Sequence, residues 1–158
     1  MTALSILAPL SGEVIPVTAV PDPVFSQKML GQGMAIRPLV QVQSVLSPVS
    51  GKIIKLFKTG HAFALVGEAN SLEVLVHVGL DTVGLKGVGF QQLLREGDEV
   101  RAGQPVVKVD IPRLVALKKD PITPVVFIGR NQVAAVDFTP GTVQAGTPLC
   151  QITLQANR

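Results

Sequence analysis

Two histidines, His61 and His77, are the only imidazoles in the chain, and one cysteine, Cys150, is its only thiol. The histidines lie on either side of Gly67-Glu-Ala-Asn-Ser71, a turn-rich loop between the apolar stretches Ala62–Val66 and Leu72–Val78. That arrangement predicts a β-hairpin. With Ala69 at the loop centre the two histidines are equidistant from it, so they form a direct cross-strand pair with Cβ atoms about 5 Å apart. Phe63 and Leu75 are then the next pair on that outward face, while Val74, Val76 and Val78 point into the core. Three chemistries use such a pair. A metal needs a third ligand, for which Asp81 is the nearest candidate, with His61 and His77 as zinc ligands. General acid–base work needs a cleft, and no second carboxylate or nucleophile is tied to the site. In the third, one imidazole takes a phosphoryl group and its neighbour donates an N–H to the phosphoryl oxygens.

The elements that must hold these residues are short and β-like. Among 158 residues there are 15 Gly and 12 Pro, recurring every 8 to 12 positions. Between them lie the Val/Ile/Leu-rich stretches Gly12–Val17, Lys52–Phe57, Ala62–Val66, Leu72–Val78, Val106–Val109, Pro124–Ile128 and Leu149–Leu154. This spacing predicts an all-β, antiparallel sandwich or barrel, formed by a single domain over 1–158 with a core of about 8–155. Helical signal is confined to Gln91–Glu96 and to Ile111–Lys118, where Pro112 suits a first helical turn. Phe25 follows Pro23 in an expected loop. Two motifs are duplicated. Ala8-Pro-Leu-Ser-Gly-Glu-Val-Ile15 returns as Ser47-Pro-Val-Ser-Gly-Lys-Ile-Ile54, and Gly97-Asp-Glu-Val-Arg-Ala-Gly-Gln-Pro-Val106 returns as Pro140-Gly-Thr-Val-Gln-Ala-Gly-Thr-Pro-Leu149. Both read as strand–turn–strand units in which Gly12, Gly51, Gly103 and Gly146 serve turns with positive φ.

Composition removes several function classes. Six Phe with no Trp or Tyr leave few platforms for stacking nucleic-acid bases, so an isoelectric point near 9.3 does not by itself indicate a nucleic-acid partner. The +3 net charge is scattered, with no basic run longer than Lys118–Lys119. No apolar run approaches a membrane span, and the opening MTALSILAPL lacks the basic start of a signal peptide; a cytoplasmic location is expected. Cys150, within Leu-Cys-Gln-Ile-Thr-Leu, reads as a small core hydrophobe. A four-ligand zinc site of cysteines and histidines is impossible with this inventory.

Taken in order, Pro9-Leu-Ser-Gly12, Val20-Pro-Asp-Pro-Val-Phe25, Ser47-Pro-Val-Ser-Gly51, Thr59-Gly-His-Ala-Phe63, His77-Val-Gly-Leu-Asp-Thr-Val83, Leu85-Lys-Gly-Val-Gly-Phe90, Glu96-Gly-Asp-Glu-Val100 and Thr123-Pro-Val-Val126 resemble the glucose-type enzyme IIA domain of the bacterial phosphoenolpyruvate-dependent sugar phosphotransferase system. The resemblance runs from about Pro9 to Leu154. It implies a cofactor-free phosphotransferase relay: His77 accepts a phosphoryl group from the phosphohistidine of the carrier protein HPr and yields it to a cysteine of a sugar-specific enzyme IIB domain. It further implies that His61 contacts the phosphoryl group without being phosphorylated and that the Thr59 hydroxyl orients it. Asp22 and Asp81 match acidic residues that pair with an arginine of each partner. Phe25, Leu30, Phe57, Leu75 and Val83 match the apolar rim on which partners dock. Leu75 and Val78 stand where members often carry Phe, and Gly84 where they often carry Glu.

Two other families share parts of the pattern. Lysostaphin-type zinc endopeptidases carry His-x-Gly-x-Asp, as His77-Val-Gly-Leu-Asp81 does, but need a further His-x-His that two histidines cannot supply. Biotinyl and lipoyl carriers share the Val-x-Ala-Gly-x-Pro turn but need a lysine in a Met-Lys-Met or Asp-Lys-Ala triplet, which is absent.

Overall fold

A computed structural model describes residues 2–69, 71–128 and 133–155. The strands are β1 (Thr2–Leu7), β2 (Gly12–Pro16), β3 (Gln32–Pro38), β4 (Val42–Leu46), β5 (Gly51–Leu56), β6 (Ala62–Gly67), β7 (Glu73–His77), β8 (Phe90–Gln92), β9 (Glu99–Val100), β10 (Pro105–Asp110), β11 (Thr123–Ile128), β12 (Val133–Asp137), β13 (Gly141–Val143) and β14 (Pro148–Leu154); two short helices are α1 (Pro23–Ser26) and α2 (Ile111–Ala116). An eight-stranded sheet runs β13-β2-β3-β11-β7-β6-β5-β9, and two three-stranded sheets run β1-β14-β12 and β4-β10-β8. All pairings are antiparallel. The sheets stack as a sandwich rather than a closed barrel: the edge strands β13 and β9 do not pair with each other.

The duplicated motifs build matching parts. The first pair supplies β2 and β5, each second from an end of the large sheet; the second pair supplies the edge strands β9 and β13 that flank them. Their hydrogen bonds repeat as well: Ser47 N–H to Gln104 O and Gly103 N–H to Ser47 O correspond to Ala8 N–H to Thr147 O and Gly146 N–H to Ala8 O, all 2.8 Å. Gly103 and Gly146 have the expected positive φ, 87° and 83°. Gly12 and Gly51 do not. They are required for a different reason: a Cβ on either would collide with the backbone carbonyl of Arg37 or Val66 on the adjacent strand, so glycine there permits close strand approach.

The inner face of the large sheet presents Val14, Met34, Ile36, Phe63, Leu65, Val74, Val76, Val125 and Phe127 to Ile6, Val45, Val107, Val109 and Ile152 of the smaller sheets. Full burial of each such large side chain contributes roughly 1.5–3 kcal/mol. The outer face carries a second, smaller core in which Ala35 and Val126 are covered by Val17, Val20, Phe25 and Ile122. Cys150 is buried in the main core, and burial first, then the nearby Asp137 charge, pushes its thiol up to about 12. No helix among the described residues is long and apolar enough to cross a membrane.

Two local expectations are corrected. Gln91–Glu96 is not helical, since Gln91 and Gln92 pair with Lys108 and Val107 in the β8–β10 ladder and Arg95–Asp98 is a turn closed by Asp98 N–H to Arg95 O at 3.0 Å; pairing with an existing strand outweighs the helix propensity of Gln and Leu. Phe25 lies in α1, whose start is capped by the Asp22 carboxylate accepting from Val24 N–H at 3.0 Å. The expected helix at Ile111–Lys118 forms over Ile111–Ala116, capped by Asp110.

Candidate functional site

In β7 the alternation Val74, Val76 inward and Glu73, Leu75, His77 outward delivers His77 to the outer face of the sheet at its strand end. Beyond it the chain turns through Gly79, φ 78°, and the Gly79 carbonyl lies 2.7 Å from His77 Nδ1. A carbonyl can only accept, so Nδ1 carries the hydrogen and the lone pair is left on Nε2. The turn is tightly held. A Cβ on Gly79 would come within 2.5 Å of the Thr82 methyl, Thr82 is buried with its hydroxyl donating to Val78 O at 2.6 Å, and Leu80 N–H donates to Asp120 O at 2.9 Å.

His61 reaches the same place by a different route. The β6–β7 ladder pairs Ala62 with His77 and Phe63 with Val76, one residue out of step with the expected His61–His77 and Phe63–Leu75 pairs. Phe63 is therefore in the core, fully buried, rather than beside the histidines. His61 stands just before β6, after Gly60 at φ 77°, and so escapes the strand's alternation. Its ring meets that of His77 edge to face, centroids 5.1 Å apart. The Thr59 hydroxyl hydrogen-bonds its Nδ1. Phe57 backs the His61 ring at 5.2 Å and Phe25 the His77 ring at 5.4 Å.

These surroundings keep both rings neutral near pH 7. Burial chiefly, and the neighbouring His77, lower His61 to about 4. For His77 burial is the larger influence and lowers its pKa; the Gly79 carbonyl and the Asp22 and Asp81 carboxylates oppose it without restoring the ordinary value. A neutral His77 with a free Nε2 pair is a nucleophile, and a neighbouring imidazole is a candidate N–H donor.

Of the expected rim, Leu30, Phe57 and Val83 are exposed, at 38%, 37% and 57%. Phe25 and Leu75 are not rim residues: they are 5% and 9% exposed, Phe25 because α1 folds it onto the smaller core and Leu75 because it pairs with Val126 under that core. Val24, Met29 and Val88 are exposed instead. Asp22 and Asp81 share a hollow with Leu80, Lys118, Lys119 and Asp120. Asp81 does not complete a metal site with the histidines, since no group of three such ligands occurs among the described residues. Sequence reasoning missed Gly79 as the group that sets the His77 tautomer; its place two residues after the histidine in His-Val-Gly was the available signal.

Comparison with known proteins agrees with this geometry. The family described as phosphoenolpyruvate-dependent sugar phosphotransferase system, EIIA 1, matches residues 4–133. The chain is 41% identical over 135 residues to the glucose-specific EIIA component of Staphylococcus aureus, covering 85% of this chain and 80% of that protein. It is 39% identical over 153 residues to the N-acetylglucosamine-specific EIICBA component of Klebsiella pneumoniae, covering 96% of this chain but 23% of that longer protein. Among solved structures, glucose permease IIA from Mycoplasma capricolum superposes with a TM-score of 0.85 at 35% identity, covering 96% of both chains.

Proposed function

Because the chain belongs to the glucose-type EIIA family of the phosphoenolpyruvate-dependent sugar phosphotransferase system, we propose that it is a single phosphocarrier domain that loads a phosphoryl group from phospho-HPr onto Nε2 of His77 and delivers it to a cysteine of a sugar-specific EIIB domain. The observation that carries this reading is the hydrogen bond from His77 Nδ1 to Gly79 O, which leaves Nε2 as the free nucleophile.

In the loading step the Nε2 lone pair attacks phosphorus while the P–N bond of the donor breaks and its electron pair stays with the donor ring. The proton on His77 Nδ1 stays there throughout, donated to the Gly79 carbonyl. Phosphoryl transfer asks little covalent work of the protein, so positioning and charge stabilisation dominate. His61 supplies the second. When its Nδ1 accepts from the Thr59 hydroxyl, its Nε2 carries a hydrogen available to the phosphoryl oxygens. Phe25 and Phe57 hold the two rings, and the exposed apolar residues around them exclude water while a partner is docked, which protects the P–N bond from hydrolysis. Asp22 and Asp81 offer carboxylates to a partner's arginine.

The test is incubation with phosphoenolpyruvate, enzyme I and HPr, followed by mass measurement. A gain of about 80 Da that disappears in His77→Gln supports the relay; a variant labelled like the wild type ends it.

A further inference from the structure

The carbonyl that holds His77 Nδ1 belongs to Gly79, a residue poorly able to fix a carbonyl by itself: lacking a Cβ, it takes either sign of φ, and here φ is 78°. Rotation of the Gly79–Leu80 peptide would carry that oxygen away from the ring. What prevents it lies at the other end of the same peptide. In a trans peptide the C=O and N–H point in opposite directions, and Leu80 N–H donates to the Asp120 carbonyl at 2.9 Å. That bond aims the Gly79 oxygen at His77. The preceding peptides are held as well. Val78 N–H donates to His61 O at 2.7 Å, and Val78 O accepts from the buried Thr82 hydroxyl at 2.6 Å.

Asp120 is itself fixed. Its Oδ1 accepts from Ile122 N–H at 3.0 Å, the Pro121 carbonyl accepts from the Thr123 hydroxyl at 2.9 Å, and Pro121 restricts the backbone of the residue before it. Ile122 then anchors this corner in the smaller core. A neutral imidazole in water exchanges between two tautomers, and a fixed partner at one nitrogen decides which of the two bears the lone pair. We infer that Asp120, through its main chain, and Thr82 are positioning residues that select Nε2 of His77 as the nucleophile. Both act through the Gly79 carbonyl. The consequence for rate rests on the phosphocarrier reading, whereas the tautomer can be read without any phosphoryl donor. The Asp120 carboxylate also shares the hollow of Asp22 and Asp81, so the test must separate its charge from its role as an acceptor.

The experiment pairs long-range 1H–15N correlation spectra of the 15N-histidine-labelled, unphosphorylated chain at pH 7.5 with single-turnover loading from phospho-HPr. Wild-type His77 should show a protonated Nδ1 and an unprotonated Nε2, with the two rings told apart by His61→Gln. Asp120→Ala and, independently, Thr82→Val should move part of His77 to the other tautomer and lower the maximal loading rate about tenfold. Asp120→Asn keeps the acceptor for Ile122 N–H without the charge, and Thr82→Ser keeps the hydroxyl. Both should retain the wild-type tautomer and maximal rate, any effect of the lost charge appearing in the phospho-HPr concentration that gives half-maximal rate. Pro121→Ala, which removes no hydrogen bond, should shift the tautomer the same way by less, and it keeps the test decisive where a harsher variant does not fold. A wild-type tautomer in Asp120→Ala, Thr82→Val and Pro121→Ala overturns the inference. So does a maximal rate in Asp120→Asn as low as in Asp120→Ala, or a wild-type His77 protonated at Nε2. A wild-type chain with the expected tautomer that takes no label would instead overturn the phosphocarrier reading itself.

Discussion

His61 and His77 stand with ring centroids 5.1 Å apart, yet they are not ladder partners: His77 pairs with Ala62. His77 obeys the alternation of its strand, and His61 reaches it from just outside one. The two rings are consequently held by independent devices, a carbonyl for Nδ1 of one and a hydroxyl for Nδ1 of the other, so their roles can be separated by substitution.

His61→Gln keeps an N–H donor but not the imidazole. It should still be labelled by phospho-HPr, because the nucleophile is untouched, and should deliver to EIIB at least about tenfold more slowly. Single-turnover rates for the two steps decide this; equal loss in both would assign His61 to loading or to the fold.

Thr59→Val removes the hydroxyl that holds His61 Nδ1 while keeping the side chain's shape. Delivery should fall about three- to tenfold, with Thr59→Ser retaining most of the wild-type rate. A variant in which Ser behaves like Val would show that the hydroxyl does not orient the ring.

Stability should fall with acid in a window set by His61. Its pKa is about 4 in the folded chain against 6.5 as the ordinary value, so the unfolded chain binds the extra proton between these values. The contribution is fully present above pH 6.5 and is lost as pH falls toward 4, on the order of 2–3 kcal/mol. Urea unfolding at pH 7.5 and 4.5 should show a smaller loss for His61→Gln than for wild type; an equal loss would place the acid sensitivity elsewhere.

On the phosphocarrier reading, a charge at exposed Val83 and one at buried Phe25 should act differently. Val83→Asp, at 57% exposed, should unfold within a few degrees of wild type yet lose about tenfold or more in HPr affinity. Phe25→Asp, buried in the smaller core, should lose several degrees of thermal stability, because an unpaired carboxylate is buried there. Equal stability of the two variants would contradict this placement of Phe25.

Label uptake should persist after zinc is chelated, provided magnesium is kept for the upstream kinase, because no third ligand joins the two histidines among the described residues. Uptake that vanishes with chelation and returns with zinc would favour a metal centre instead.

Much of this was legible from residue order, and the failures have physical causes. Gly/Pro spacing located most central strands, because short buried strands must be apolar and their connections must turn. The hairpin was found but placed one residue out of register, which set Phe63 on the outward face although it lies in the core; the loop closes by Gly67 N–H to Leu72 O, a turn that a guess centred on Ala69 misses. The pairing of histidines was nonetheless reached, for the wrong reason, since Gly60 releases His61 from the alternation. The burial of Phe25 could not be read locally: what covers it, Ile122 and Val126, lies about a hundred residues away in the chain.

Phe25 touches the His77 ring and also belongs to the smaller core on the outer face of the sheet. The orientation of the His77 ring is thus tied to a patch of six buried side chains as well as to the Gly79 carbonyl. Native-state hydrogen exchange separates such units when one opens without the other. On the phosphocarrier reading, substitutions at Val17, Val20 or Ile122, which belong to that patch and not to the main core, should alter the tempo of transfer more than the global stability.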